Sequence, residues 1–528
     1  MKDTADLWRP LRTPIFRQLL LADIVSDVGT FMQGVGSAWL MVSIGASPLL
    51  VALTQTASTL PFFLFALPAG AIGDIVDRRT LILYTEIWML VVAAVLAVTT
   101  IGGLMTPWLL LALTFALSAG DAFESPTWRA VLPELVRTED LAAASALNGI
   151  EFNIARAVGP ALAGALIAAA GVGAAFAVNV VSFLGVIVVV ARWQRPRRVR
   201  TAPVETLRGA TVAAVRYVRN VPVMGRLMLR SGIVMVFASA PFALLPAIAR
   251  AVSGTAIGYG ALLGCFGIGA VAGALVMQRA RAKASTETIV STAVVILGCT
   301  IVGLAGVHNL PGLMVLMLVS GAAWLAFISL SNALVQLMAP DWVRARVLAI
   351  FMLVTQGGLA AGSALWGALA TRTSIDTALA WAGLGTIATT ALGVWMRMPD
   401  TTADVSPWNH WRMPAIVQDV TPELEQGPVL VTAEYRVRPE DAALFLRTMG
   451  QYERVRRRDG AFRWGLYRDL ERADVYLETF VVVSWAEHLR QHERLTKGDS
   501  ELEQAIRSLA QDEPIVRHLI SAESEGRG

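Results

Sequence analysis

Residues 47–102 read SPLLVALTQTASTLPFFLFALPAGAIGDIVDRRTLILYTEIWMLVVAAVLAVTTIG. Two apolar runs flank a short polar connection, Gly73-Asp74-Ile75-Val76-Asp77-Arg78-Arg79. Each run exceeds the ~20 apolar residues that a helix needs to cross a bilayer. The connection between them is short enough to fold them back as an antiparallel pair. The same pattern recurs along the chain. It predicts twelve spans at 16–41, 47–72, 80–102, 107–128, 141–168, 173–192, 227–249, 256–278, 287–306, 311–337, 344–370 and 375–396.

Composition agrees. The 528 residues are 55% hydrophobic and only 16% charged, with mean hydropathy +0.58. Soluble domains carry about 25% charge. An ordinary soluble enzyme, a disordered chain and a disulfide scaffold are thereby excluded. The two cysteines, Cys265 and Cys299, both lie in apolar runs and form no framework. The N-terminal MKDTADLWRPLRTPIF lacks a short apolar core followed by a small-residue cleavage site, so no signal peptide is read.

Charge orients the spans. Residues 1–396 balance at +9 and residues 397–528 at −5. Alternate loops hold only Arg250 and Arg372 among basic residues. The other side carries Lys2, Arg9, Arg12, Arg17, Arg78, Arg79, Arg129, Arg137, nine arginines between 192 and 226, Arg279, Arg281, Lys283, Arg344 and Arg346. Positive charge marks the cytoplasmic side, so both termini are expected inside the cell membrane. The basic residues fall between apolar spans and form no aromatic-interleaved patch, which argues against nucleic-acid binding.

The predicted class is an all-α membrane protein with twelve helices in two six-helix halves, 1–192 and 227–396. Between them lies a cytoplasmic linker, 193–226, in which Leu207, Val212, Val215 and Val218 stand apart from Arg208, Arg216 and Arg219. This reads as an amphipathic helix at the anionic inner leaflet, or as a solvated linker. A shift of 203 residues carries Gly70 to Gly273, Arg78 to Arg281, Gly159 to Gly362 and Gly164 to Gly367. Such a repeat fits a transporter whose halves rock about a site near the midplane. After a second linker, 397–420, residues 421–528 alternate in the order βαββαβ, an α+β ferredoxin-like pattern expected to be cytoplasmic.

Ionisable residues inside spans are costly and are functional candidates by default. Asp23 and Asp27 lie one turn apart on the first span, Asp27 near the midplane. A carboxylate there can take a proton from one side and release it to the other; the bland alternative is a structural hydrogen bond. Asp121 and Glu124 on the fourth span and Glu151 and Arg156 on the fifth can form a fixed ion pair or a switchable one. Glu86, about two turns into the third span, is a weaker candidate. Asn148, Asn153, Asn179, Gln33, Asn332, Gln336 and Gln356 can line a polar path or join helices. The second half offers Trp324, Phe327 and Trp366 but few charges, chiefly Arg230, which suits an amphipathic or apolar substrate.

Asp74 ends a helix, where the dipole disfavours an anion, and a latch of Gly70, Asp74, Asp77, Arg78 and Arg79 would compensate it. This segment resembles the major facilitator signature of glycine, three residues, aspartate and a basic pair. It departs at Ile75 and Asp77, where the family often has a basic residue and a glycine. Gly159-Pro160-Ala-Leu-Ala-Gly164 resembles that family's antiporter motif; the bland alternative is a packing kink. Asp23, Gly29-Thr30-Phe31-Met32-Gln33, Trp39, the run 131–136 (VLPELV) and the run 407–411 (PWNHW) are similar to the branch of enterobactin exporters and transmembrane secretion effectors. The resemblance covers essentially the whole chain. It implies proton-driven export of drugs or siderophore-like metabolites. Many family antiporters place an arginine in the fourth span; here LALTFALSAGDAFESP has none, and Arg156 is the candidate substitute.

The tail resembles an antibiotic-biosynthesis-monooxygenase module, which implies dimerisation and, in catalytic members, turnover without metal or flavin. His488 and His492 stand at i, i+4 beside Glu487 and Glu493, but in no zinc-peptidase order and with no third ligand evident. No cofactor, metal or enzyme activity is expected, and the absence of a Walker-type loop argues against ATP-driven transport. The expected partners are a small-molecule substrate, protons, the lipid bilayer and, through the tail, a second copy. Two other classes stay open: a membrane-anchored monooxygenase-like enzyme, and a sensor or scaffold without flux.

Overall fold

The computed structural model describes residues 7–193, 207–399, 404–406, 408 and 426–521. The Arg-rich start of the first linker and most of the second, including the expected PWNHW run apart from Trp408, lie outside the described residues. The chain divides into two compact units. One holds residues 1–203, 227–331 and 351–400; the other holds 204–226, 332–350 and 401–528. The sequence divides the chain differently, because hydropathy sees spans and linkers but not which of them fold together.

The first unit is helical. Its first six helices are α1 (Pro14–Ser43), α2 (Pro48–Ile75), α3 (Arg78–Ile101), α4 (Pro107–Leu135), α5 (Leu141–Ala170) and α6 (Val172–Arg192). After α7 (Leu207–Asn220), which belongs to the second unit, come α8 (Pro222–Ala238), α9 (Ala240–Ser253), α10 (Ala256–Arg281), α11 (Thr286–Gly306), α12 (Leu310–Met338), α13 (Asp341–Arg372), α14 (Ile375–Ala388) and α15 (Leu392–Trp395). Residues 332–338 of α12 and 341–350 of α13 belong to the second unit.

Capping residues set the starts. Ser47, Asp77, Thr106, Thr255, Ser285 and Ser374 each accept a hydrogen bond from a backbone N–H of the first turn. Among the described residues, eleven helical stretches are long and apolar enough to cross a membrane, with α8–α9 and α14–α15 each counted as one. The fourth helix has 29 residues and carries Asp121 and Glu124, and it is not among the eleven. Polar contacts join the helices locally. Asn179 on α6 donates to Gln33 on α1, and both are buried. Arg230 on α8, fully buried, donates two bonds of 2.7 and 2.8 Å to Glu287 on α11. A bidentate pair of this kind offsets part of the cost of burying the charge.

The second unit is built on β1 (Val429–Arg436), α16 (Ala442–Asp459), β2 (Arg463–Arg468), β3 (Val475–Val482), α17 (Trp485–Arg494), α18 (Lys497–Leu509) and β4 (Ile515–Ile520). The sheet order is β2-β3-β1-β4, with every neighbour antiparallel. Inward positions of β1 and β3 alternate, as period-2 patterning requires. Phe445, Met449 and Tyr452 of α16 pack on Ala433, Tyr435 and Tyr476.

The linker helix α7 packs within this unit. It buries Ala213, Ala214 and Tyr217, and the Tyr217 hydroxyl donates to the Met338 carbonyl. Arg216 donates to Glu487 at 2.8 Å. Of the four apolar residues that the sequence assigns to a lipid-facing stripe, Val212 and Val215 are exposed. The side chain of Leu207 lies outside the described residues.

Candidate functional site

Four helices bring the intramembrane carboxylates together. Asp23 and Asp27 project from α1, Glu86 from α3, Asp121 and Glu124 from α4 and Glu151 from α5. All six line one cavity of about 590 Å3, with Asn148, Trp128 and Phe152. A second cavity of about 430 Å3 is lined by Phe31, Gln55 and Arg156 of α1, α2 and α5 and by Phe242, Trp324 and Gln356 of α9, α12 and α13, among others. Thr30 lines both cavities.

The carboxylates pair with each other. Asp27 and Glu151 lie within hydrogen-bonding reach, as do Glu86 and Glu124. Two carboxyl groups can share a hydrogen bond only when one of them carries a proton. The indole of Trp128 donates to Asp23. Glu86 and Glu151 are 3% and 4% exposed, and Glu86 Oε2 and Glu151 Oε1 have no hydrogen-bond partner.

Arg156 does not form the expected ion pair with Glu124, Glu151 or Asp121. Among the described residues no carboxylate lies within ion-pairing distance of it. Its guanidinium sits over the Phe152 ring at 4.8 Å, with Asp27 its electrostatic counterpart. The reason is geometric: Glu124 turns to α3 and Glu151 to α1. Arg156 faces the second cavity while Asp27 faces the first, so the wall between them carries charge on both sides.

The second cavity is aromatic. Phe242 on α9 lies 4.8 Å from Trp324 and 5.3 Å from Phe266, edge to face. Sequence reasoning names Trp324 and Gln356 but misses Phe242, Tyr259, Phe266 and the polar stretch of α2. The run Thr54-Gln55-Thr56-Ala57-Ser58-Thr59 is the signal that could have found the last. Of the other expected polar residues, Asn179 and Gln33 join helices, Asn153 donates to the Gly149 carbonyl, and Asn332 accepts from Gln336. Trp366 donates to the Val236 carbonyl, and Phe327 is fully buried.

At the α2–α3 connection, the side chains of Gly70 and Asp74 lie outside the described residues. Asp77 caps α3 through the Thr80 N–H at 3.0 Å. Arg78 donates to the Ala130 carbonyl and to Glu134, both at 2.8 Å. Arg79 donates to the carbonyls of Val190 and Ala191 at the end of α6, where a cation suits the helix dipole. Glu134 was not singled out, although it lies in the quoted run 131–136.

The Gly159–Gly164 motif is a close-packing surface. A Cβ on Gly159 would stand 2.7 Å from the Phe31 Cβ. One on Gly164 would stand 2.8 Å from the Ala256 carbonyl, and one on Gly260 2.5 Å from the Pro160 carbonyl. Helices α5 and α10 thus touch backbone to backbone. Two hydrogen bonds also join α2 to α13. The Leu49 N–H donates to Thr371 Oγ1, and Thr56 Oγ1 donates to the Ala360 carbonyl.

In the tail, Glu487 accepts from Arg494, Arg216 and Arg490. Burial works against its charge, but the arginines hold its carboxyl below the ordinary glutamate range. His488 and His492 bring their Nε2 atoms to 3.3 Å. Burial, and then the neighbouring imidazoles, push them down to about 4 and about 2. Among the described residues no group of three or more ligating side chains is arranged to hold a metal ion. Because both folded values lie below the ordinary ~6.5, the unfolded tail binds more protons as pH falls from 6.5 toward 4. The tail is therefore expected to lose on the order of 2–3 kcal/mol between pH 6.5 and 5. Replacing both histidines with glutamine is expected to flatten that slope, read by hydrogen exchange of the β1 and β3 amides in the intact protein.

Long apolar helices packed around internal cavities define a polytopic membrane protein. The chain belongs to the transmembrane secretion effector family, whose model matches residues 5–526. It is 27% identical over 143 residues to the Staphyloferrin A transporter of Staphylococcus aureus (strain NCTC 8325 / PS 47). That match covers 27% of this chain and 36% of the relative, so the chain spans about a third of the curated relative's length. In fold it is similar to the nucleoside transporter NupG (D323A mutant), with TM-score 0.61, 11% identity, and 72% of this chain and 100% of that one covered. It is also similar to a bacterial homolog of the human lysosomal transporter Spinster in an inward-facing, occupied conformation, with TM-score 0.58, 12% identity, and 73% and 95% covered. By its family, whose model covers nearly the whole chain, the protein is a membrane transporter and not an enzyme; the two solved structures bear on the fold alone.

Proposed function

We propose that the protein is a secondary transporter that exports a small amphipathic molecule, a drug or siderophore-like metabolite, in exchange for protons. It works by alternating access of two six-helix halves in the cell membrane, with twelve spans and both termini cytoplasmic. One observation carries the reading: the Asp27–Glu151 pair lies behind the wall on which Arg156 faces the aromatic cavity. Exchange requires proton and cargo to occupy the protein in turn: proton uptake at Asp27 removes the charge that Arg156 faces across the wall, and cargo binds while that charge is present. Asp23, Asp121, Glu86 and Glu124 extend the proton path. Asp74, Arg78 and Arg79, with Glu134, latch the cytoplasmic end. The ferredoxin-like tail serves a regulatory or dimerising role.

The test compares metabolites in cells and medium for the wild type, Asp27→Asn and a strain lacking the protein. One compound is expected to leave wild-type cells and to be retained about tenfold in the mutant and on collapse of the proton gradient. Equal export by wild type and mutant would make Asp27 structural.

A further inference from the structure

We infer that the tail is a brace for transport: it seats the turn between α12 and α13 and ties that turn to α7, so that the adjoining ends of α8, α12 and α13 move as one body. The inference rests on the transport reading and gives the tail its task within it. A turn between two spans ordinarily lies in water. Here Met338, Ala339, Pro340 and Val343 are buried. The Trp342 ring lies under the Arg494 guanidinium at 4.6 Å and meets the Tyr217 ring edge to face at 6.1 Å. The Tyr217 hydroxyl donates to the Met338 carbonyl at 2.5 Å.

The seat is itself held. Arg494 donates to Glu487 at 2.7 Å, and Glu487 also accepts from Arg216 at 2.8 Å. Arg216 precedes Tyr217 on α7, so the contacts close a ring from Trp342 through Arg494, Glu487, Arg216 and Tyr217 back to the turn. Charge-assisted bonds of this kind are the stronger polar contacts. Three elements are gripped at once. Val221 alone separates α7 from α8. Trp324 on α12 stands fourteen residues before Met338, and Gln356 on α13 fourteen after Trp342, and both line the aromatic cavity. At 1.5 Å per residue that is about 21 Å of unbroken helix. Rigid elements of this kind carry a displacement from end to end. The unit that contains the tail draws its residues from 204–226, 332–350 and 401–528, all after the first six helices. A brace on the later helices travels with them, whereas a lock on the cycle would have to join them to α1–α6.

The experiment uses the full-length protein with Cys265 and Cys299 replaced by serine. Trp342→Ala empties the seat from the side of the spans. It is expected to speed hydrogen exchange at the amides of residues 343–350 about fivefold or more, with the β1 and β3 amides of the tail within about twofold of their former rates. Export of the compound that leaves wild-type cells is expected to fall about threefold or more. A smaller acceleration, or a smaller fall in export, overturns the inference. A Tyr217→Cys/Met338→Cys pair tests it in the opposite sense. Joining the two cysteines with a short bifunctional maleimide restores the tie, and export is expected to rise. Export that fails to rise overturns the inference, and export that stops shows that the tail has to let go in every cycle. If Trp342→Ala misfolds, the cross-link decides. No export by the parent protein, with exchange accelerated in Trp342→Ala, overturns the transport reading and leaves the grip on the turn standing.

Discussion

Gly260→Ala is expected to cut transport about tenfold or more, while Gly264→Ala, one turn along the same helix, leaves it within about twofold. The two substitutions add the same methyl group. At Gly260 it would lie 2.5 Å from the Pro160 carbonyl and 3.1 Å from the Gly164 Cα, both backbone atoms. No rotamer change relieves that clash; α5 and α10 must move apart. At Gly264 the nearest neighbours lie at 3.9 Å, which is ordinary contact. Separation also reads out without transport. Ser43 at the end of α1, which packs on α5, and Arg250 on α9, which packs on α10, stand 3.5 Å apart. In a background with Cys265 and Cys299 replaced by serine, a Ser43→Cys/Arg250→Cys pair should cross-link with a short reagent. Gly260→Ala should lower that yield, and an unchanged yield with unchanged transport would refute the packing argument.

Arg458→Ala is expected to destabilise the tail by about 3–5 kcal/mol. Arg458 is nearly buried and binds two buried carboxylates at once. It donates to Asp459 at 2.7 and 2.9 Å and to Asp499 at 3.0 and 2.7 Å. Asp499 also accepts from the Thr496 N–H and hydroxyl, closing the capping box of α18. Removing the guanidinium leaves two carboxylates facing each other in the interior. Hydrogen exchange of the β1 and β3 amides in the intact protein should accelerate by two to three orders of magnitude, roughly the same free energy. Acceleration below about tenfold would show that the pair is held mainly by other groups.

Most of the helical fold was legible because a bilayer demands length and hydropathy from every span. The helix ends were less so. The expected 227–249 became Pro222–Ser253 because helix continues past the last apolar residue until a cap or glycine ends it. Helix α4 has the length to span, but its acids weaken the apolar signal. At the site, the sequence marked the residue types but not their partners. Helical spacing places Asp23 and Asp27 on one face of α1. It does not show that Glu151 turns toward Asp27, or that Glu86 meets Glu124. Those pairings depend on helix rotation about axes distant in sequence. Phe242 and Tyr259 were invisible for a plainer reason: an aromatic in an apolar run carries the same signal whether it faces lipid, core or cavity.

The stitching of α7 has a consequence for the newborn chain. Arg216 donates to Glu487, 271 residues later, and Tyr217 to Met338, 121 residues later. At the usual pace of synthesis, ~5–20 residues per second, α7 waits for its last partner for roughly 14–54 seconds. Throughout that interval the surfaces that will close over Ala213, Ala214 and Tyr217 do not yet exist in full. Helices α8 to α15 must be made, and the long apolar ones threaded into the membrane, in the meantime. A ribosome that stops before residue 487 therefore leaves a transmembrane body with a sticky basic helix.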